Sequence, residues 1–388
     1  MKIAYCTAST YAPGGMERVL ANKIAWLSAH KPEWEILVIT TDQKGREPYY
    51  KFPESVKCID LSINYSDDNH LNPVKKIANF LKKRRRHRKA LTHRLLTERP
   101  DIVISLFPSE SSFIPDIPVG RKVLELHFNR YFRLQYDRKG LLRLADVFRT
   151  WRDRSLVRRF DKFVVLTPED RELWGQLSNI EVIPNAAIHV KKEKRSEGTA
   201  KRVIAVGRLD YQKGFDRLIE AWGEIAKRNK LNGWRLDIFG KGEWEEMIKA
   251  RIEALGIVDS AAIHLPVKEI GEEYKKSSVI AMTSHFEGFP MVLIEGMSYQ
   301  LVPVVFNFKC GPKDIIKSGC GEIVEDGDIQ GFADALIKIM EMDPDERAKI
   351  AQRAANQMDE YTEEKVMAQW LELFKELTDS ELNQNRQR

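Results

Sequence analysis

Cysteine is scarce in this chain: Cys6, Cys58, Cys310 and Cys320 are scattered through 388 residues. None pairs as C-x-x-C, so nothing in the spacing suggests a zinc knuckle or a redox dithiol. Four scattered cysteines are expected of a reducing cytoplasm. Long apolar runs are lacking too; none approaches the roughly 18–20 residues that a membrane span needs. The opening "MKIAYCTAST" reads as a first β-strand and not as a signal peptide. Nor is there a large overall charge excess, since 63 basic and 57 acidic residues leave only +6. A hydrophobic content of 43% with 31% charged residues excludes a disordered chain.

What is present is alternation. Short β-branched runs ("KIAYC", "EILVIT", "DIVISLF", "KVLELH", "KFVVLT", "EVIP", "RVIAVG", "RLDIFG", "AIHLP", "VIAMTS", "VPVVF") are separated by amphipathic helical stretches such as 17–29, 216–228 and 244–255. Strand–helix alternation at this spacing predicts an α/β fold with doubly wound parallel sheets. Eleven strands are too many for one ordinary open sheet, so two Rossmann-like domains are expected, 1–187 and 200–365. The boundary is placed in the polar "AAIHVKKEKRSEGTAK". Residues 366–388 begin as an amphipathic helix with Val366, Trp370, Leu373 and Leu377 on one face, and end in a polar, frayed tail.

Ligands of open parallel sheets bind at the carboxyl ends of strands. Three loops there carry chemistry. In "STYAPGGMERVL", Gly14 and Gly15 precede a helix; adjacent glycines admit close approach and a helix start favours anions. Glu17 lies in the first turn, where it also suits the helix dipole. In "AVGRLDYQKGFDRLI", Arg208 and Lys213 lie five residues apart and can converge on a diphosphate. In "SHFEGFPMVLIEGM", Glu287 precedes a helix and Glu295 lies one turn inside it among Val292, Leu293, Ile294 and Met297. A carboxylate buried there needs partners. The backbone amides of Phe289, Met291 and Val292 are expected to meet phosphate oxygens. Each feature has a plainer reading, as a turn, a solvated cation or a loop charge.

Together "GGMER", "VIPNA", "VGRLDYQKGFDRLI" and "EGFPMVLIEGM" resemble the large retaining glycosyltransferase family 4, of the GT-B fold, over nearly the whole chain. The chain has "IPNA" where the family often has "IPNG", and "EGM" where it has "EAM"; neither change removes a charge. The resemblance implies that Arg208 and Lys213 neutralise the donor diphosphate and that Glu287 contacts the donor sugar near the reacting carbon. It implies that Glu295 holds the ribose hydroxyls and that Gly288, Phe289, Pro290, Met291 and Val292 line the phosphate and sugar. Gly14 and Gly15, with Glu17 nearby, would approach from the other domain. Val267 would sit by the nucleobase, and His127 would stand beside the donor sugar, with a strand-end core histidine as the plainer alternative. The donor is expected to be a UDP-sugar, UDP being preferred to GDP by family frequency alone. No metal is expected: the D-x-D of Asp343–Asp345 reads as a helix cap, and the cations can take the leaving-group charge.

Charge is locally lopsided. Residues 69–97 hold ten Lys or Arg and no acid. This stretch predicts a helix of about 25 residues, nearly 40 Å at about 1.5 Å per residue. Val74, Ile77 and Leu81 form an apolar stripe that Leu91 and Leu95 resume. Lys75, Lys76, Lys82, Lys83, Arg84, Arg85, Arg86, Arg88 and Lys89 are the candidate acceptor- or membrane-binding residues. A solvated charged helix is the plainer reading; the density of charge points to an anionic partner. "HFNRYFRLQYDRKGLLRLADVFRTWRDR" adds a second cationic, aromatic segment suited to an interface. Some family members that extend lipid-linked oligosaccharides have a basic helix near here that grips the acceptor pyrophosphate, and a relative that adds GalNAc units to such a lipid is the expected kind. An undecaprenyl-type diphosphate acceptor is therefore expected, with the chain cytoplasmic and peripheral at the inner membrane face. Alternatives are a sugar-nucleotide epimerase of the same fold, a nucleic-acid-binding protein using the basic helix, and a transferase to a phosphorylated glycan of lipopolysaccharide or capsule. No nucleic acid partner is expected if the two glutamates function.

Overall fold

The computed structural model describes all residues except 69–71, 107–108, 137, 189, 192, 194 and 386–388. Two parallel sheets carry it. The first has seven strands in the order β3-β2-β1-β4-β5-β6-β7. They are β1 Lys2–Thr7, β2 Glu35–Thr40, β3 Lys57–Asp60, β4 Ile102–Ser105, β5 Arg121–Glu125, β6 Lys162–Val165 and β7 Ile180–Val182. The second has six, in the order β10-β9-β8-β11-β12-β13. They are β8 Arg202–Val206, β9 Arg235–Phe239, β10 Ala261–His264, β11 Val279–Met282, β12 Val302–Phe306 and β13 Glu322–Val324.

Two of these strands escape the sequence reading. Both β3 ("KCID") and β13 ("EIV") lie at sheet edges and contain no fully buried residue. An edge strand half open to solvent needs no apolar run. Central strands are covered on both faces and do. Along β1, Ile3 and Tyr5 face one core while Ala4 and Cys6 face another. Helix α1 (Gly15–His30) covers the first face with Leu20, Ile24 and Leu27. The C-terminal helix Glu363–Asn385 joins it there, burying Val366, Met367, Trp370, Leu373, Phe374 and Leu377 against the first sheet. The Ala187 amide donates to the Tyr361 carbonyl (2.7 Å), so the segment leaving the first sheet is tied to the start of that returning helix.

Strand order reverses between β1 and β4, and again between β8 and β11. In doubly wound sheets the crevice beyond the carboxyl ends at such switch points is where ligands bind. The loops that leave β1, β8 and β11 are the three that carry Gly14–Glu17, Arg208–Lys213 and Ser284–Pro290. Helix α2 (Pro73–Glu98, 26 residues) starts at the Asn72 cap and stops at Arg99 in the left-handed region, and α3 spans Leu141–Val157. No helix among the described residues is long and apolar enough to cross a membrane.

Candidate active site

Glu287 is the centre of the loop after β11. It is buried, and its Oε1 accepts from Lys213 Nζ (2.6 Å) and from Ser284 Oγ (2.8 Å). Its Oε2 accepts from Gln212 Nε2 (3.3 Å). Arg208 donates through Nε to Asp210 (2.8 Å) and through Nη2 to Gln212 (2.9 Å), with its side chain 67% exposed. The loops after β8 and β11 are laced together by the His285 amide on the Gln212 carbonyl (2.8 Å) and by stacking of Tyr211 on His285. Both cations therefore stand at the mouth of the switch point, Lys213 neutralising Glu287 and Arg208 open to solvent. A guanidinium fork and an ammonium so placed can meet two phosphates.

The first sheet closes the site from the opposite side. Asn129 Nδ2 donates to the Glu287 carbonyl (2.8 Å). Gly288 faces the His127 backbone so closely that a Cβ there would lie 2.0 Å from the His127 carbonyl oxygen. His127 follows the end of β5, and its Nε2 lies 3.2 Å from Glu125 Oε1. Glu125 is fully enclosed and also accepts from Lys23 Nζ at 2.6 and 2.8 Å. Burial pushes the Glu125 carboxyl up, but Lys23 and His127 outweigh it and hold it down at about 2. Burial lowers Lys23, which lies 3.6 Å over the Trp370 ring of the C-terminal helix.

Glu17 folds back over the start of its own helix, where a Cβ on Gly14 would strike its Oε2 at 2.0 Å. Burial raises the Glu17 carboxyl, against the pull of its own backbone amide, His127 and Arg208. Gly15 has nothing within 4 Å of where a Cβ would be, which leaves open space above the helix start. Glu295 is buried one turn inside the helix Met291–Ser298 and is held by Arg18 Nη1 (2.7 Å) and the Tyr274 hydroxyl (3.2 Å). Val267 lies in the loop after β10, 43% exposed. Phe289 is buried. The Met291 amide donates to the Phe289 carbonyl (2.9 Å). Val292 lies in the first turn of the helix Met291–Ser298.

Residues 188–357 match the family of glycosyl transferases group 1. The matched stretch, most of the second domain, is similar to this family. The chain is 35% identical over 223 residues to the amylovoran biosynthesis glycosyltransferase AmsD of Erwinia amylovora, an alignment covering 55% of this chain and 62% of that protein. The chain thus spans about three fifths of that relative's length. A second relative is aligned nearly end to end, at 25% identity over 390 residues, 97% of this chain and 99% of the other. It is the GalNAc-alpha-(1->4)-GalNAc-alpha-(1->3)-diNAcBac-PP-undecaprenol alpha-1,4-N-acetyl-D-galactosaminyltransferase of Campylobacter jejuni. In fold the chain superposes on an S. aureus TarM mutant in complex with Fondaparinux, alpha-GlcNAc-glycerol and UDP. The TM-score is 0.76 at 16% identity, over 96% of this chain and 99% of that one. The architecture is GT-B, two parallel-sheet domains facing a cleft.

Several residues of this candidate site were not read from sequence: Gln212, Ser284, Asn129, Tyr274, Glu125 and Lys23. Gln212 and Ser284 lie inside the two loops already singled out, so proximity to Lys213 and Glu287 is the signal that would have found them. Asn129 and Glu125 lie 158 and 102 residues from their partners and leave no such trace. The D-x-D residue Asp343 does cap a helix, accepting from the Asp345 amide (2.9 Å). A second D-x-D, Asp326–Asp328, divides between Arg217 and a helix cap at Gly331. Among the described residues no cluster of three His, Cys, Asp or Glu side chains is arranged to hold a metal ion.

The basic helix differs from expectation in its apolar stripe. Ile77 and Leu81 are exposed, with Phe80 beside them, and the side chain of Val74 lies outside the described residues. Leu91 and Leu95 are buried, and so is His87 inside the cationic run. Three of the cations serve the fold: Lys83 pairs with Asp68 (2.8 Å), Arg84 bonds Ser112 (2.7 Å) and Arg88 lies 3.7 Å from Asp116. Lys75, Lys76, Lys82, Arg85, Arg86 and Lys89 are exposed. On α3, Leu142, Leu144, Val147, Phe148 and Trp151 are exposed as well, Trp151 by 72%.

Proposed function

We propose that the chain is a retaining, metal-independent glycosyltransferase that moves a HexNAc or hexose from a UDP-sugar to a glycan acceptor. The observation that carries this is the Lys213–Glu287–Ser284 cluster at the β8/β11 switch point, facing His127 across the cleft. UDP in the TarM complex supports the choice of nucleotide. On donor binding, Lys213 exchanges Glu287 for a phosphate oxygen and Arg208 leaves Asp210 for the other phosphate. As the glycosidic bond breaks, negative charge grows on the diphosphate where the two cations and the Met291–Ser298 helix start already stand. Glu287, freed from Lys213, turns toward the sugar beside His127. Glu295 accepts the ribose hydroxyls, Val267 borders the base, and Gly15 gives the phosphate room.

The acceptor in this reading is a lipid-diphosphate-linked glycan at the cytoplasmic membrane face, as in polysaccharide biosynthesis. The name of the Campylobacter relative supports it. So does the surface of the first domain: exposed cations on α2 for the diphosphate and anionic headgroups, and exposed Phe148 and Trp151 on α3 for the interface. Nucleic acid can stack on Phe148 and Trp151 but rewards exposed aliphatic side chains little, so Leu142, Leu144 and Val147 beside them favour a bilayer. The test is transfer of labelled sugar from a panel of UDP-sugars to short prenyl-diphosphate glycans, in EDTA. Turnover with a prenyl-diphosphate acceptor and not with the same glycan lacking it is the expected result. Hydrolysis or epimerisation of the UDP-sugar with no transfer would overturn the reading.

A further inference from the structure

Arg18 holds Glu295 from the opposite domain, and its position gives that contact a function. It sits in the first turn of α1, its amide bonded to the Gly14 carbonyl (3.1 Å). Its side chain leaves the first domain, crosses the cleft and donates to Glu295 Oε1 (2.7 Å), 277 residues away in sequence. The other oxygen, Oε2, takes the Tyr274 hydroxyl (3.2 Å) from the helix Ile270–Lys275. A carboxylate offers about two acceptor positions on each oxygen. Each oxygen of Glu295 is therefore fixed by one donor and keeps one position open. Two open positions on a locked carboxylate match two adjacent hydroxyls of a ribose.

We infer that Arg18 is a positioning residue of the nucleotide site, supplied by the opposite domain, which orients Glu295 for the ribose and so makes nucleotide binding depend on a closed cleft. The inference rests on the assignment of Glu295 to the ribose. A guanidinium is suited to the task because its planar fork fixes a carboxylate in orientation as well as in place. Burial drives Glu295 upward, and Arg18 is the chief group opposing that. Tyr274 alone would leave Oε1 free to rotate away. With the cleft open, Glu295 would lose Arg18 and the nucleotide would lose its ordered ribose contact.

The experiment compares the full chain with Arg18→Gln, Arg18→Lys, Glu295→Gln and the Arg18→Gln/Glu295→Gln double variant. UDP affinity is read from its inhibition constant, and KM and kcat are measured separately for the UDP-sugar. Arg18→Gln is expected to weaken UDP about tenfold, as loss of one partner of a hydrogen-bonded charge pair buried on the carboxylate side does. Arg18→Lys should recover part of this, and kcat at saturating donor should stay within about twofold. In the Glu295→Gln background Arg18→Gln should add little, since its route of action is already gone. A purely structural bridge would lower the melting temperature of Arg18→Gln without moving the UDP constant; that result overturns the inference. So does tighter UDP binding by Arg18→Gln, which would make Arg18 a competitor of the ribose. Equal losses in both backgrounds also overturn it. If the wild-type chain fails to bind UDP, the donor assignment itself falls and takes the inference with it.

Discussion

Gly288→Ala isolates the meeting of the two domains. The glycine is not in the left-handed region, so alanine brings no backbone strain there. What it brings is a Cβ 2.0 Å from the His127 carbonyl oxygen, 2.6 Å from its carbon and 2.9 Å from Phe128 Cα. Contacts under 3.0 Å are essentially never tolerated by a real Cβ, and here the neighbours are backbone, which cannot rotate aside. The loops must separate by about 1 Å or more. That breaks the bond from Asn129 to the Glu287 carbonyl and carries His127 away from the cluster around Glu287. A displacement of about 1 Å at reacting groups costs on the order of a hundredfold in rate. Both domains keep their own cores, so the loss of stability should stay within the roughly 1–3 kcal/mol of a local overpacking. The assay is kcat for sugar transfer beside thermal unfolding of the same preparation. A variant with normal kcat would refute the claim that His127 and Glu287 work across a closed cleft.

Other outcomes follow from the same geometry. Gly15→Ala meets no protein atom within 4 Å, so melting should be unchanged and any rise in KM for the donor reports ligand in that space. Glu125→Gln removes a carboxylate held at about 2 against an ordinary 4.5; that difference is worth about 3 kcal/mol at neutral pH. Because the folded value is the lower one, this stability is present above pH 4.5 and is lost as pH falls toward about 2, so urea unfolding of wild type and variant should converge in acid. Trp370→Ala empties a site 1% exposed under the first sheet and should cost about 3–5 kcal/mol, read as a fall in melting temperature. Exchanging Lys82, Arg85, Arg86 and Lys89 for serine should weaken anionic-vesicle binding by about 4 kcal/mol, roughly a thousandfold at low salt. Vesicle sedimentation that does not change would remove α2 from the membrane face.

How far sequence could see is set by what surrounds each residue. Central strands such as "KIAYC" and "VPVVF" are covered on both faces and must be apolar throughout, so they are legible. The edge strands "KCID" and "EIV" are half wet, and nothing in four or three residues distinguishes them from loop. Loops at switch points are legible because glycines and charges end an apolar run there, which brings out Gly14, Arg208, Lys213 and Glu287. Pairings across the cleft are not legible: Arg18 and Glu295 are neighbours only because two separate sheets face one another. The stripe on α2 misleads for a reason of length. A helix of 26 residues spans about 39 Å, while strands of four to six residues reach only about 13–20 Å. Leu91 and Leu95 find the sheet beneath them, and Ile77 and Leu81 overhang it.

The central claim is a UDP-sugar site between the sheets, organised by Lys213, Glu287 and Glu295. The measurement that tests it most directly is calorimetric titration of UDP into the full chain in EDTA, beside Glu295→Gln and Lys213→Ala. Saturable one-to-one binding by the wild type, weakened by each substitution and unaffected by EDTA, is the predicted result. No binding of UDP, or equal binding by all three proteins, would contradict it.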